Sequence, residues 1–201
     1  MRAFLRVLFL ILFLFELANQ RGILQVGLDY TWIGLTFTLG IVVVVIECIH
    51  ALLKRTGHPG LHWSVWALAL LSISIDVLGD VGHLYSAYAW YDRFAHASGA
   101  AVAFIITWNI VRSLFQSTTL AASTKLSLIL SYALAHTAGN FYEIEEYLED
   151  TFTGSHRSGG GTDTADDLLM NAIGVTIAAL LVWGVRTLAS RRTKALQQTL
   201  L

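Results

Sequence analysis

Residues 31–53, TWIGLTFTLGIVVVVIECIHALL, contain one carboxylate, Glu47, and no lysine or arginine. Wound as a helix at about 1.5 Å per residue, such a run is roughly 34 Å long, enough to cross a hydrocarbon core of about 30 Å. Its valines and isoleucines would favour a strand in water, but an apolar run of this length reads as a membrane span. Five further stretches share its length and apolarity, at 3–19, 61–79, 94–115, 124–147 and 164–188. The first has a basic start (Arg2, Arg6) and a leucine- and phenylalanine-rich middle, as a signal peptide would. Its end, ELANQ, is a poor small-residue cleavage site, so the segment is expected to stay as a helix. KRTGHPG, holding the only proline (Pro59), reads as a tight turn between the second and third helices.

The expectation is therefore an all-α fold: one integral membrane domain over 1–201, a polytopic transmembrane bundle of about six helices. Composition agrees, because 55% of the 201 residues are hydrophobic and 13% are charged, against about 25% charged in soluble domains. No soluble domain fits between the apolar segments. The net charge of −1, with no basic patch interleaved with aromatics, gives no sign of nucleic acid as a partner. The single cysteine, Cys48, excludes a disulfide within the chain and makes a thiolate metal site implausible.

Basic residues set the orientation. With the N- and C-termini in the cytoplasm, Arg2, Arg6, Lys54, Arg55, Arg112, Lys125, Arg186, Arg191, Arg192 and Lys194 fall inside, and Arg21, Arg93 and Arg157 fall outside. Tyr30, Trp32, Tyr85, Tyr88, Trp90, Tyr91, Tyr142 and Tyr147 are then expected in an outer aromatic belt. The basic tail RRTKALQQTLL is amphipathic enough to lie on anionic lipid, or to act as a positive-inside anchor. The implied location is a multi-pass position in the inner (plasma) membrane, with the lipid bilayer as the principal partner.

Eight of the fourteen acidic residues lie between Tyr142 and Gly174. In this orientation they occupy the outer end of the fifth segment, an external loop and the outer end of the sixth. Gly159–Gly161 lets the loop fold back, and Thr162 or Asp163 can cap the sixth helix, whose acidic first turn suits the helix dipole. Capping does not explain Asp167 or Asn171, which lie deeper.

At i, i+4 spacing the polar residues form one stripe per helix. The third segment ends with Asp76, Asp80 and His83, and the fourth begins with Asp92 and His96. The fifth carries His136, Asn140, Glu143 and Glu146, and the sixth begins with Asp163, Asp167 and Asn171. Lipid-facing carboxylates are strongly disfavoured, so the stripes should face one another or a water-filled cavity. About a turn below the surface, Asp76, His96, Glu143 and Asp167 supply one ligand-type residue from each of four helices. Such a layer can build a metal or proton-handling site. Oxygen ligands with one or two histidines suit Zn²⁺, Mn²⁺ or Fe²⁺, and with fewer histidines Mg²⁺ or Ca²⁺. Glu143, Asp167 and His96 are the candidate catalytic residues; Asp76, His96, Glu143 and Asp167 are the candidate ligands of a divalent metal; Asp92, His136, Asn140, Asp163 and Asn171 are supporting polar groups. The bland alternative is structural: carboxylates pairing with Arg93 or Arg157, bonding to tyrosines, or sharing a proton. His83, His156 and Glu149 are expected to be solvated loop groups, and Glu47 and His50 to pair locally or snorkel with Lys54. Gly99 with Ala103, and Gly174 with Ala178, form small-xxx-small patterns for close helix packing. There is no GxSxG elbow, Walker loop or HExxH.

YDRFAH, YEIEEY and GTDTADDLLMNAIG together resemble a bacterial inner-membrane family typified by YjdF. The matching positions are Asp92, Arg93 and His96; Tyr142 and Glu143; and Asp163, Asp167, Asn171 and Gly174. The resemblance spans about residues 76–185 and, by helix count, the whole chain. A more distant likeness is to VanZ-like proteins, which are linked to glycopeptide (teicoplanin) resistance. The resemblance implies a recurrent site and supplies no activity. Three function classes stay open: an outward-facing metal-assisted hydrolase or transferase acting on lipid or lipid-linked envelope substrates; an ion- or proton-coupled permease; and a non-catalytic envelope protein with a structural polar cluster.

Overall fold

The computed structural model describes residues 1–115 and 123–199, with side chains to Arg192. Seven helices and no strands occur among the described residues: α1 (Arg2–Gln20), α2 (Trp32–Arg55), α3 (Ser64–Val81), α4 (Leu84–Ala87), α5 (Tyr91–Phe115), α6 (Thr124–Thr153) and α7 (Asp163–Thr199). α4 is a single turn, so the long helices follow the six expected segments, with shifted ends. Five of them (α1, α2, α3, α5 and α7) are long and apolar enough to cross a membrane. α6 is not among these, although it is 30 residues long. Lys125, His136 and Asn140 interrupt its apolar part, and its last turns carry Glu143, Glu145, Glu146, Glu149 and Asp150. α7 runs on through the start of the expected basic tail, whose side chains past Arg192 lie outside the described residues.

Two groups of helices make up the bundle. α1, α2 and α3 enclose a core around Leu39, Val65, Trp66 and Ala69. α5, α6 and α7 enclose a second around Phe104, Trp108, Ala135 and Val175. α3 packs on α5 and joins them. Lipid is as apolar as leucine, so helix association in a bilayer depends on close packing and polar bonds rather than hydrophobic burial. Gly174 shows this: a Cβ there would overlap the Ala97 carbonyl of α5, so only glycine lets α7 approach so closely. Gly99 instead faces Ser72 of α3.

Polar pairs fasten the bundle at both ends. Near the starts of α1 and α3, Arg6 donates from Nε and Nη2 to Glu47 of α2 at 2.7 and 2.6 Å. The Trp66 indole donates to the same carboxylate at 2.8 Å, and His50 packs edge-on against that indole. Glu47 therefore pairs with α1 rather than with Lys54. At the other end, the α1–α2 linker is fastened to the α3–α4 turn. Asp80 accepts the Tyr30 amide at 2.8 Å, and Asp29 accepts from the Ser86 amide and hydroxyl. His83, in the left-handed region at φ 52°, places Nδ1 2.8 Å from Asp29. His83 is exposed, as expected, yet it has a partner. Burial pushes the Asp29 carboxyl up, but the bonds from Ser86 and His83 outweigh it and hold it below its ordinary value.

Candidate functional site: a buried carboxylate–histidine cluster

The site is built around His96, one turn into α5 and buried. Its Nδ1 lies 3.3 Å from Glu143 Oε1 on α6, without the alignment of a hydrogen bond. Its Nε2 lies 3.6 Å from Asp92 Oδ1, one turn earlier on α5, and 3.7 Å from Asp167 Oδ1 on α7. Asn171, one turn deeper on α7, donates to Glu143 Oε1 at 3.4 Å. Three of the four expected ligands thus meet, delivered by three helices at helical spacing. Asp163 lies half-buried at the start of α7, and its carboxylate groups with those of Asp92 and Asp167.

Asp76 is placed differently. It accepts from the Tyr85 hydroxyl at 2.9 Å and from Arg157 Nη2 at 3.2 Å. The residue that joins His96, Glu143 and Asp167 is Glu146, and one ligand atom from each of the four lies within 4.8 Å of the others. Metal–ligand bonds of about 2.1 Å give donor separations of roughly 3.0–4.2 Å, so small rotamer changes would close this set on a cation. A second set, Asp92, Asp163 and Asp167, meets the same 4.8 Å limit.

Arg157 explains the position of Asp76. Its buried guanidinium donates to Glu146 at 3.0 Å and Glu149 at 3.5 Å, as well as to Asp76 and the Tyr142 hydroxyl. Asp150 brings it there. Gly154, at φ 70°, ends α6 and reverses the chain. Asp150 then accepts the Arg157 and Ser158 amides at 2.8 and 2.9 Å and the Ser155 and Ser158 hydroxyls. Burial pushes the Asp150 carboxyl up, but these four bonds outweigh it and hold it at about 2. The neighbouring Arg93 is turned away, pairing at 2.9 Å with Asp166 on the exposed side of α7.

A family model of predicted membrane proteins, DUF2238, matches residues 1–188. The chain belongs to that family. No curated protein and no solved structure matches it. The resemblance to YjdF-type proteins is consistent with DUF2238 membership; the one to VanZ-like proteins is not shown by it.

In this DUF2238 chain the cluster opens onto a cavity of about 230 Å³ between α2, α3, α5, α6 and α7. Asp76, Asp92, His96, Tyr142, Arg157 and Asn171 line its polar end. Val42, Ala69, Ile73, Ala100, Val102 and Ile106 line the remainder. Glu146 lines the cavity as well, whereas Glu143, Asp163 and Asp167 stand behind its wall. Two expected site residues lie apart from both cavity and cluster. His136 is half-buried and packs on Tyr132, with Nε2 unpartnered, and Asn140 is exposed on α6. Two belt aromatics turn inward instead, with the Tyr85 and Tyr142 hydroxyls both on Asp76.

Three acidic positions differ from expectation or escaped it. Glu149, expected in solvent, is buried, bonds to Thr31 and Arg157, and occupies the space a side chain at Gly34 would need. Glu146, not among the expected ligands, is buried inside the cluster. Glu16 on α1 is fully buried, with neither oxygen hydrogen-bonded among the described residues. A lone carboxylate in an apolar run was its signal.

Proposed function

We propose that this chain is a membrane-embedded metal-assisted hydrolase or transferase acting on a lipid or lipid-linked envelope substrate. One observation carries the reading: positive charge is divided unevenly across the cluster. Arg157 pairs with Asp76, Glu146 and Glu149, which share its one positive charge. Among the described residues, no lysine or arginine pairs with Glu143, Asp92, Asp163 or Asp167; His96 lies against Glu143, Asp92 and Asp167. Asp167 is buried and its Oδ1 accepts no hydrogen bond. Uncompensated buried carboxylates are costly, and a bound divalent cation supplies the missing charge. A structural network would be expected to satisfy such atoms.

Bound among His96, Glu143, Glu146 and Asp167, a cation would polarise a phosphoryl or acyl oxygen and lower the pKa of a water. In hydrolysis, the water oxygen bonds to phosphorus or the acyl carbon, and the bond to the leaving oxygen or nitrogen breaks. In this reading Glu143 takes the water's proton and passes it to the leaving atom. The apolar remainder of the cavity suits an acyl or isoprenoid chain, with its polar head at the cluster. With α6 as a sixth span and the basic helix ends in the cytoplasm, the pocket faces the extracytoplasmic side of the inner membrane. A permease would need a second half-path, and Glu47 at the opposite end is already held by Arg6 and Trp66.

The test is turnover in lipid nanodiscs of mixed bacterial lipids supplied with Mn²⁺ or Zn²⁺, with products followed by mass spectrometry. The expected result is release of a headgroup fragment by wild type and a loss of at least ~100-fold in Glu143→Gln. Equal turnover in the two proteins, or none by metal-loaded wild type on phosphate- or amide-linked lipids, contradicts it.

A further inference from the structure

Asp167 belongs to two ligand sets at once. One is His96, Glu143, Glu146 and Asp167; the other is Asp92, Asp163 and Asp167. Its Oδ1 is unpartnered, and the residue is only 2% exposed. The second set is built rather than merely acidic. Gly159, at φ 59°, lays its backbone against the Asp163 carboxylate, where any side chain would overlap it. Arg93, the nearest guanidinium in sequence, pairs with Asp166 instead.

We infer that the cluster holds two divalent cations bridged by the Asp167 carboxylate, and that its substrate is a phosphate ester. The inference rests on the metal-assisted reading above and narrows it. Charge supports it: the two sets hold five carboxylates, formally −5, and Arg157, which is shared with Asp76 and Glu149, offsets at most one of them, so that two cations at +4 are needed to balance the remainder. A single cation leaves the site formally −2, which would repel an anionic phosphate. Paired cations clamp the attacking and leaving oxygens of an in-line displacement at phosphorus. The water oxygen bonds to phosphorus, the ester P–O bond breaks, and the water's proton ends on the departing alcohol. An uncharged amide gains less from a second cation.

The experiment is Mn²⁺ binding to the full chain in mild detergent. Equilibrium dialysis counts ions per chain, and electron paramagnetic resonance reads coupling between them. Two Mn²⁺ per wild-type chain with an exchange-coupled spectrum are expected. Asp163→Asn and Asp92→Asn should each drop the count to one and abolish the coupling, with monodispersity and helical content confirming the fold. Asp166→Asn, on the exposed side, should keep two. One ion per wild-type chain overturns the inference and leaves the single-metal reading standing. No ion overturns both. Two uncoupled ions, with a count unchanged in Asp163→Asn and Asp92→Asn, also overturn it.

Discussion

Replacing Arg157 by methionine keeps much of the side-chain volume and removes the guanidinium. The side chain is 3% exposed, and Asp76, Glu146 and Glu149, its three carboxylate partners, are 15%, 5% and 4% exposed. Removing one partner of a buried ion pair costs about 3–5 kcal/mol, because the remaining charge is stranded. For a chain of this length each kcal/mol moves Tm by roughly 2–4 °C. Arg157→Met should therefore melt about 6–20 °C below wild type. Arg93→Met supplies the contrast, since its pair with Asp166 is 52% and 40% exposed. Exposed pairs contribute about 0–1 kcal/mol, a shift of at most ~4 °C. The assay is thermal unfolding in mild detergent, followed by the fluorescence of the six tryptophans. Equal shifts in the two variants, or an Arg157→Met shift below ~2 °C, would refute the view that Arg157 is the buried charge partner holding this half of the cluster.

Three further outcomes are expected. Asp150→Asn should destabilise the protein at neutral pH: the carboxyl is held at about 2 against an ordinary 3.8, so its contribution is full above 3.8 and lost as pH falls through 2. Melting curves of the variant and wild type should converge at the acid end, and a gap that persists unchanged to pH 2 would count against the four-donor turn. Gly174→Ala should force α5 and α7 apart at the Ala97 carbonyl and cost about 1–3 kcal/mol, read as a lower Tm, whereas the same change at Gly184, which meets nothing nearby, should be neutral. Gly159→Ala should leave Tm within a few degrees but weaken cation binding, measured by Mn²⁺ titration, because its side chain would displace Asp163.

The helical part of the site was legible because periodicity constrains it. Asp92 and His96, then Asp167 and Asn171, are one turn apart, and the cost of lipid-facing carboxylates turns them inward. The exchange of Asp76 for Glu146 was not legible. It follows from where Arg157 lands, which depends on Asp150 gathering donors from a loop that has no period. Asn140 shows the limit of spacing alone: the inward face of α6 includes Ser131, Ala135, Glu146 and Glu149. At about 100° per residue Asn140 lies roughly 140° round from Ala135. The three helices delivering His96, Glu143 and Asp167 fix the cluster, while the loop decides which carboxylates remain uncompensated.

The most direct measurement is elemental analysis of the protein purified in mild detergent without chelator, wild type beside His96→Ala and Asp167→Ala. Bound divalent metal in wild type, at one equivalent or more and lost in both variants, is the predicted result. Metal-free wild type after reconstitution with Zn²⁺, Mn²⁺, Mg²⁺ and Ca²⁺ would contradict the account and leave the carboxylates to a protonated, structural network.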